Sequence, residues 1–168
     1  MTLSAFGLEI DLPDGWDGWI YRSEGGGNGT IGQIGNFPLP RYVRDDTGTL
    51  TQQGMQSGQI FLTLFEWWKD PPYIPGNNFL PLAGKPAVRS EDFGPWGSMK
   101  PAKRPIVYAS RTFQTNGRYF QLGAAFFREV PATILDEANA VLATLQVATG
   151  DFRPSYEARH IHSNTGSA

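Results

Sequence analysis

The clearest alternation of apolar and polar positions runs from Ile106 to Phe127 and is interrupted by Asn116-Gly117. Asn and Gly tolerate the positive φ angles of a type I′ turn, so this pattern predicts a β-hairpin with a two-residue turn. Such a turn fixes the register, and one face then carries these cross-strand pairs: Val107 with Phe126, Ala109 with Ala124, Arg111 with Leu122, Phe113 with Phe120, and Thr115 with Arg118. Because this face is mostly apolar, we expect it to point into the core, with Arg111 as the charged residue among its apolar positions.

The opposite face of the hairpin is polar. It carries hydroxyl and amide side chains that suit water or a polar partner: Tyr108, Ser110, Thr112, Gln114, Tyr119 and Gln121. Tyr108, Thr112, Tyr119 and Gln121 are therefore the candidate partner face.

The most apolar segment, Gln59 to Trp68, predicts a central strand. Alternation places Ile60, Leu62, Leu64, Glu66 and Trp68 on one face. Glu66 is thus either exposed at the end of the strand or buried, and a buried carboxylate needs a compensating cation. Arg111 is the candidate cation. A structural ion pair, plain exposure of both side chains, and a ligand-binding role for Glu66 and Arg111 all remain open.

Three shorter strands are predicted near the N-terminus. Phe6, Leu8 and Ile10 alternate with polar residues or glycine, the turn Pro13-Asp14-Gly15 follows, and Trp16 to Tyr21 forms the next strand. The run from Gly27 to Gly32 matches the dinucleotide-binding pattern G-x-G-x-x-G. That site needs a helix directly after the glycines, and Pro38 and Pro40 follow too soon. We therefore interpret the run as a hairpin loop leading into a strand from Ile31 to Phe37.

One amphipathic helix follows the late hairpin. Pro131 suits a helix start, and apolar residues then recur at helical spacing: Ile134, Leu135, Ala138, Val141, Leu142 and Leu145. Together these elements predict an α+β fold, with a mostly antiparallel sheet packed by a C-terminal helix. We expect a single domain over residues 1–150 and a flexible tail over 151–168.

Residues 69–105 form a proline-rich arm that holds eight of the thirteen prolines. Long loops within compact domains are typically functional covers or disordered segments. The aromatic residues Tyr73 and Trp96 in this arm indicate that it folds back over the sheet. A groove between the arm and the sheet, walled by Trp67, Trp68, Tyr73 and Trp96, is the candidate ligand pocket.

Composition narrows the class of protein. The chain has 168 residues, 40% of them hydrophobic, no cysteine and a formal net charge of −2. The lack of cysteine excludes a disulfide scaffold, and the slight acidity disfavours nucleic-acid binding. No signal-like segment and no membrane-spanning apolar run are recognised, so we expect a cytoplasmic protein that does not insert into membranes.

No motif carries identifiable catalytic or cofactor chemistry. His160 and His162 form H-x-H, but no other histidine or cysteine completes a metal site. A Ser-His-Asp hydrolase would have to recruit one of these histidines from the tail. We therefore expect no metal, no cofactor and no catalytic residue of a known type.

Several segments resemble those of PsbP-like domains. They are the turn Leu12-Pro13-Asp14-Gly15-Trp16, the strand through Arg118-Tyr119-Phe120 and the helix end from Ala140 to Val147. The run Asn36-Phe37-Pro38-Leu39-Pro40, with the strand after it, is similar to uncharacterised actinobacterial proteins of this plan. The resemblance implies an α/β/α sandwich and a non-enzymatic accessory or binding role, and it carries over no functional residues.

Three functions follow as hypotheses. The first is a non-catalytic accessory or binding module that recognises a protein or a small ligand. The second is a small enzyme that uses Glu66 as acid or base, with Arg111 holding an anionic substrate. The third is a structural subunit of a larger assembly. The sequence contains no motif that identifies the partner or the ligand.

Overall fold

The structure, a computed structural model, describes residues 1–23, 28–41, 45–67, 80–92, 106–127, 131–150 and 152. The strands in these ranges are β1 (Thr2–Ala5), β2 (Leu8–Asp11), β3 (Asp17–Arg22), β4 (Asn28–Gly35), β5 (Ile60–Trp67), β6 (Leu80–Pro81), β7 (Ile106–Thr115), β8 (Arg118–Phe127) and β9 (Gln146–Val147). The helices are α1 (Thr49–Gly54) and α2 (Ala132–Ala143), and Ser90–Asp92 forms a 3-10 turn.

The strands form a large and a small sheet. The large sheet has six strands in the order β3-β4-β5-β8-β7-β6, and every neighbouring pair is antiparallel except β6 with β7. The small sheet has the order β1-β2-β9 and is antiparallel throughout. The predicted α+β class, with a mostly antiparallel sheet and a C-terminal helix, is confirmed. The PsbP-like sandwich stays a prediction.

The hairpin of β7 and β8 has the predicted register along its whole length. Val107 lies opposite Phe126 and Thr115 lies opposite Arg118. Asn116 and Gly117 have φ angles of 52° and 74°, as a type I′ turn requires. Local turn chemistry therefore sets the pairing of these two ten-residue strands.

Strand β5 lies in the middle of the large sheet, as predicted, with β4 on one side and β8 on the other. Its residues are buried from Ile60 to Glu66, because both of its faces are covered. On one face, Leu62 and Leu64 join a core cluster with Leu8 of β2 and Val141 of α2. This inner face is therefore covered by the small sheet and α2.

The opposite face of the large sheet packs against a second apolar cluster. Phe61 and Ala125 of the sheet contact Phe37, Leu39 and Met55, which belong to the segment between β4 and β5. Helix α1 lies in this segment. The sheet is therefore covered on both faces, but by different kinds of structure.

The predicted strand through Phe6 is wrong. Phe6 and Gly7, with φ angles of 52° and 71°, form a turn between β1 and β2. Leu8 and Ile10 are buried as the alternation indicates, whereas Phe6 is 36% exposed. Strand β1 has the sequence Thr-Leu-Ser-Ala, which is too short and too polar to give a recognisable strand pattern.

The described part of the proline-rich arm, residues 80–92, packs against the domain. Strand β6 adds to the edge of the large sheet beside β7. Val88 is buried in the core, and its backbone N–H and C=O both bond to the side-chain amide of Asn139 on α2. Lys85 donates from Nζ to the backbone oxygen of Leu145 at 2.5 Å. These contacts fix the middle of the arm to the C-terminal helix region.

Within the described ranges, no helix is both long and apolar enough to cross a membrane. The division into a domain (1–150) and a tail (151–168) stays a prediction. Phe152, on the tail side of that boundary, contacts the domain through Arg22 and Arg118.

Candidate functional site

The predicted ligand groove stays a prediction, because three of its four residues, Trp68, Tyr73 and Trp96, lie outside the described residues. Trp67 is described at the end of β5, directly opposite Tyr119 of β8. Its indole N–H is buried and has no hydrogen-bond partner among the described residues.

Glu66 forms a buried ion pair with Arg118. Arg118 donates from Nε to Oε1 of Glu66 at 2.7 Å and from Nη2 to Oε2 at 2.9 Å. Both residues are only 5% exposed. This bidentate geometry is the strongest arrangement available to a guanidinium and a carboxylate.

The register of the sheet places these two residues together. Glu66 lies opposite Phe120, and Arg118 is two positions from Phe120 along β8, so Glu66 and Arg118 are diagonal neighbours on one face. A bulge in β4 completes the site, since the register shifts between Asn28 and Ile31. The bulge frees the backbone N–H of Thr30, which donates to Oε2 of Glu66 at 3.2 Å.

Arg118 also holds the turn of the small sheet. It donates from Nη1 to the backbone oxygen of Gly7 at 3.1 Å and from Nη2 to that of Phe6 at 3.0 Å. The rings of Phe120 and Phe152 lie 5.3 and 4.8 Å from the guanidinium carbon, within the range of cation–π contacts. Arg118 therefore joins the strand ends of both sheets.

Arg111, the predicted partner of Glu66, is the wrong cation. It lies on β7, and β8 separates it from β5. Its side chain is 40% exposed and pairs with Asp92 of the 3-10 turn, with Nε 3.0 Å from Oδ2. Arg111 thus anchors the described arm to the sheet, because the arm brings an acidic residue to it.

The sequence did contain a signal for Arg118. The hairpin register puts Thr115 and Arg118 on the same inward face as Arg111, but Arg118 adjoins the turn, whereas Arg111 stands among apolar positions. The choice between Arg111 and Arg118 as the partner of Glu66 depends on which strand pairs with β8 on the side away from β7. Only with β5 as that neighbour does Arg118 reach Glu66.

A small cavity lies between the two sheets. Its volume is about 20 Å³, and apolar side chains of both sheets and α2 surround it next to Gly32. Ligand pockets usually measure roughly 300–1,000 Å³, so this cavity is a packing defect rather than a binding site. It lies at the third glycine of the G-x-G-x-x-G pattern, which is part of β4 and does not begin a helix.

The four residues of the predicted partner face share the side of the hairpin away from the ion pair, and their role in binding a partner stays a prediction. Tyr108, Thr112, Tyr119 and Gln121 are all half-buried. Gln121 lies opposite Thr112 and donates from Nε2 to the Ser110 hydroxyl at 2.9 Å. These side chains form a polar surface supported by the apolar core on the other side of the same strands.

Tyr108 belongs to this surface but is more enclosed than its neighbours. Its hydroxyl bonds to the Thr63 hydroxyl, and burial raises the pKa of Tyr108 above its ordinary value of 10.0. A Cβ at Gly123 would lie 2.2 Å from the Tyr108 hydroxyl. The absence of a side chain at Gly123 therefore lets the Tyr108 side chain lie flat against the sheet.

A buried polar network on this side of the sheet was not predicted. The Trp19 indole N–H donates to Oε1 of Gln33 at 3.0 Å, and Nε2 of Gln33 donates to the backbone oxygen of Asp45 at 2.6 Å. Tyr21 donates to Oδ1 of Asp46 at 3.2 Å. Burial, and then the negative charge of Asp46, raise the pKa of Tyr21 far above its ordinary value. The network ties the segment after β4 to the sheet, and sequence alternation cannot reveal such contacts.

Asp45 also holds the start of α1. Its carboxylate accepts from the backbone N–H of Leu50 at 3.1 Å and of Thr51 at 3.0 Å. Gly48 stands at the N-cap position with a φ of 69° and has no side chain to do this. Asp45 therefore has a structural role rather than an open binding role.

The described residues contain no group of three or more metal-ligating side chains. His160 and His162 lie outside them.

Comparison with known proteins identifies no relative for this chain. No protein-family model, no curated protein and no solved structure matches it. Its function has therefore to be argued from its own residues and their geometry.

Proposed function

We propose that this protein is a non-catalytic binding module that recognises a protein partner through the polar hairpin face, defined as Tyr108, Ser110, Thr112, Tyr119 and Gln121. The observation that supports this proposal is the position of these side chains. They lie together on two ten-residue strands whose other side forms the apolar core. A surface built on such strands is held rigidly, so little conformational freedom is lost on binding.

The chemistry of the face suits a protein rather than a charged ligand. Tyrosine offers an apolar ring and a polar hydroxyl at once, and it is enriched at protein interfaces. Ser110, Thr112 and Gln121 add neutral donors and acceptors, and Trp67 extends the aromatic character beside Tyr119. An uncharged face of this kind favours a neutral polar surface on the partner.

The charged residues that suggested an enzyme have structural partners. Both carboxylate oxygens of Glu66 accept hydrogen bonds from Arg118, and Oε2 also accepts from Thr30. Arg111 is paired with Asp92. A general acid or base needs a free lone pair or proton directed at a substrate, so the observed contacts favour binding over catalysis.

The resemblance to PsbP-like domains is part of the same proposal. The recurrent role of that group as accessory or binding modules agrees with a partner-binding face. A structural subunit of a larger assembly would use the same surface, and a sizing column distinguishes it by a stable complex of defined mass.

Two single substitutions test the proposal. Ser110→Lys places one positive charge in the exposed centre of the face, and Thr133→Lys places one on the exposed side of α2. The tagged wild-type chain and both variants are used to capture partners from the host extract, and the affinity of the purified partner is then measured. We expect Ser110→Lys to weaken binding at least tenfold and Thr133→Lys to leave it unchanged. Equal affinity of all three proteins, or equal loss in both variants, would contradict the proposal.

A further inference from the structure

Phe152, two positions after Gly150, packs closely against the rest of the fold. Gly150 has a φ of 131°, and Phe152 lies against the turn between β1 and β2. A Cβ added to Gly7 would lie only 2.4 Å from the Phe152 ring. The ring therefore lies directly on the backbone of Gly7, in space that any other residue at position 7 would occupy.

Polar contacts surround this ring. The Arg118 guanidinium carbon lies 4.8 Å from the ring centroid, and Arg22 donates to the backbone oxygen of Phe152. The Gly7 carbonyl accepts from the backbone N–H of Ala148 at 2.8 Å. The position thus combines a flat floor, a cation beside the ring and a donor for the backbone oxygen, which together suit an aromatic residue within a peptide.

The ion pair under the ring does not depend on Phe152. Arg118 donates its hydrogen bonds to Glu66, Phe6 and Gly7, and it contacts Phe152 through the face of the ring. Loss of the ring would remove stacking and apolar contact but would leave no buried charge without its partner. Release of Phe152 therefore avoids the cost of leaving a buried charge unpaired.

We propose that Gly7, Arg22 and Arg118 form a binding site for an aromatic residue of a peptide, which this chain fills with its own Phe152. Phe152 then closes the site in cis. When Phe152 leaves, the site accepts a phenylalanine from a peptide segment in trans. This site lies at the end of the inner face, separate from the polar hairpin face.

The first experiment uses the full chain with Phe152→Ala and the probe N-acetyl-L-phenylalaninamide, which has the ring and the backbone oxygen of Phe152. Melting temperatures are recorded as the probe is raised into the millimolar range, with N-acetyl-L-leucinamide as the matched control. We expect the aromatic probe to raise the melting temperature of Phe152→Ala by a few degrees and that of the wild type by much less, because the wild-type site is occupied. Equal effects on the two proteins, or equal effects of the two probes, would overturn the proposal.

The second experiment needs no variant to keep its fold. Amide hydrogen exchange of the wild type is followed at Ala148, which bonds to Gly7, and at Leu122 and Ala124 in the centre of β8. Local release of Phe152 together with the Ala148–Gly7 bond makes Ala148 exchange at least tenfold faster than the amides of β8, under conditions in which both report opening of the structure. If Ala148 exchanges only with global unfolding, at the rate of β8, the segment is a permanent part of the core and the proposal fails.

Discussion

The buried ion pair gives the most demanding test of this structure. Arg118→Ala would take the cation away from Glu66, which is 5% exposed in the wild type, and would also remove the donors to Phe6 and Gly7. Breaking a buried pair by removing one partner typically costs about 3–5 kcal/mol. Native domains are stable by only roughly 5–15 kcal/mol, so this loss would be a large part of the total.

Arg111→Ala is the matched control, because it removes the same side chain from the neighbouring strand. The Arg111 side chain is 40% exposed, so its pair with Asp92 is screened by water. Exposed pairs contribute about 0.2–1 kcal/mol. In a domain of this size 1 kcal/mol shifts the melting temperature by about 2–4 °C. We therefore expect losses of roughly 6–20 °C for Arg118→Ala and at most about 4 °C for Arg111→Ala.

The assay is urea unfolding of the wild type and both variants, followed by tryptophan fluorescence, with melting temperatures as a second measurement. Similar losses of unfolding free energy in Arg118→Ala and Arg111→Ala would refute the assignment of Arg118 as the buried partner. The double variant Glu66→Leu with Arg118→Leu gives an independent check. It should be more stable than Arg118→Ala alone, because no carboxylate is left buried without a cation.

Three further changes test separate parts of the fold. Gly32→Ala should raise the unfolding free energy by up to about 1 kcal/mol, since its Cβ would enter the small cavity and lie 3.5 Å from the nearest atom. Gly123→Ala, the same change in another strand, should instead lower the unfolding free energy by about 1–3 kcal/mol, because its Cβ would lie 2.2 Å from the Tyr108 hydroxyl. Urea unfolding of both variants checks the opposite signs, and equal signs would contradict the packing described. Ultraviolet titration should show Tyr21 still protonated above pH 10, because burial and then Asp46 raise its pKa. The unfolded chain ionises first, so stability should fall as the pH rises above about 10. Asp46→Asn should bring the titration of Tyr21 closer to normal, and an unchanged titration curve in that variant would contradict the assignment.

Local chemistry made much of the fold predictable. Asn116-Gly117 alone set the register of twenty residues in β7 and β8, because only a type I′ turn satisfies both φ angles. Helix α2 was legible from its apolar spacing, and β5 from its continuous hydrophobicity. In each case the signal and the structure lie within one short stretch of the chain.

The ion pair was not predictable by the same means. The register of a hairpin shows which face of the sheet a side chain occupies. It does not show which other strand of the sheet pairs with the hairpin. We predicted Arg111 as the partner of Glu66, but Arg118 shares its face of the hairpin, and the pairing of β5 with β8 decides between them. The arm settles the role of Arg111, since Asp92 reaches it from nineteen positions away along the chain. Contacts between distant segments therefore determined which arginine is buried.

One glycine of the run that resembles a phosphate-binding motif, Gly32, has a packing role in the large sheet. Gly32 of β4 and Gly18 of β3 are on the inner face, where the small sheet lies close to the large one. A Cβ at Gly18 would be 2.8 Å from Cδ1 of Leu3, so the Leu3 side chain of β1 packs on the backbone of β3 and would have to shift to admit a side chain there. Nearer the start of β4, the bulge that includes Thr30 directs a backbone N–H at Glu66. Gly32 thus leaves room for two sheets to approach, and the bulge beside it completes a buried ion pair. The same glycine spacing without a following helix does not indicate a nucleotide site.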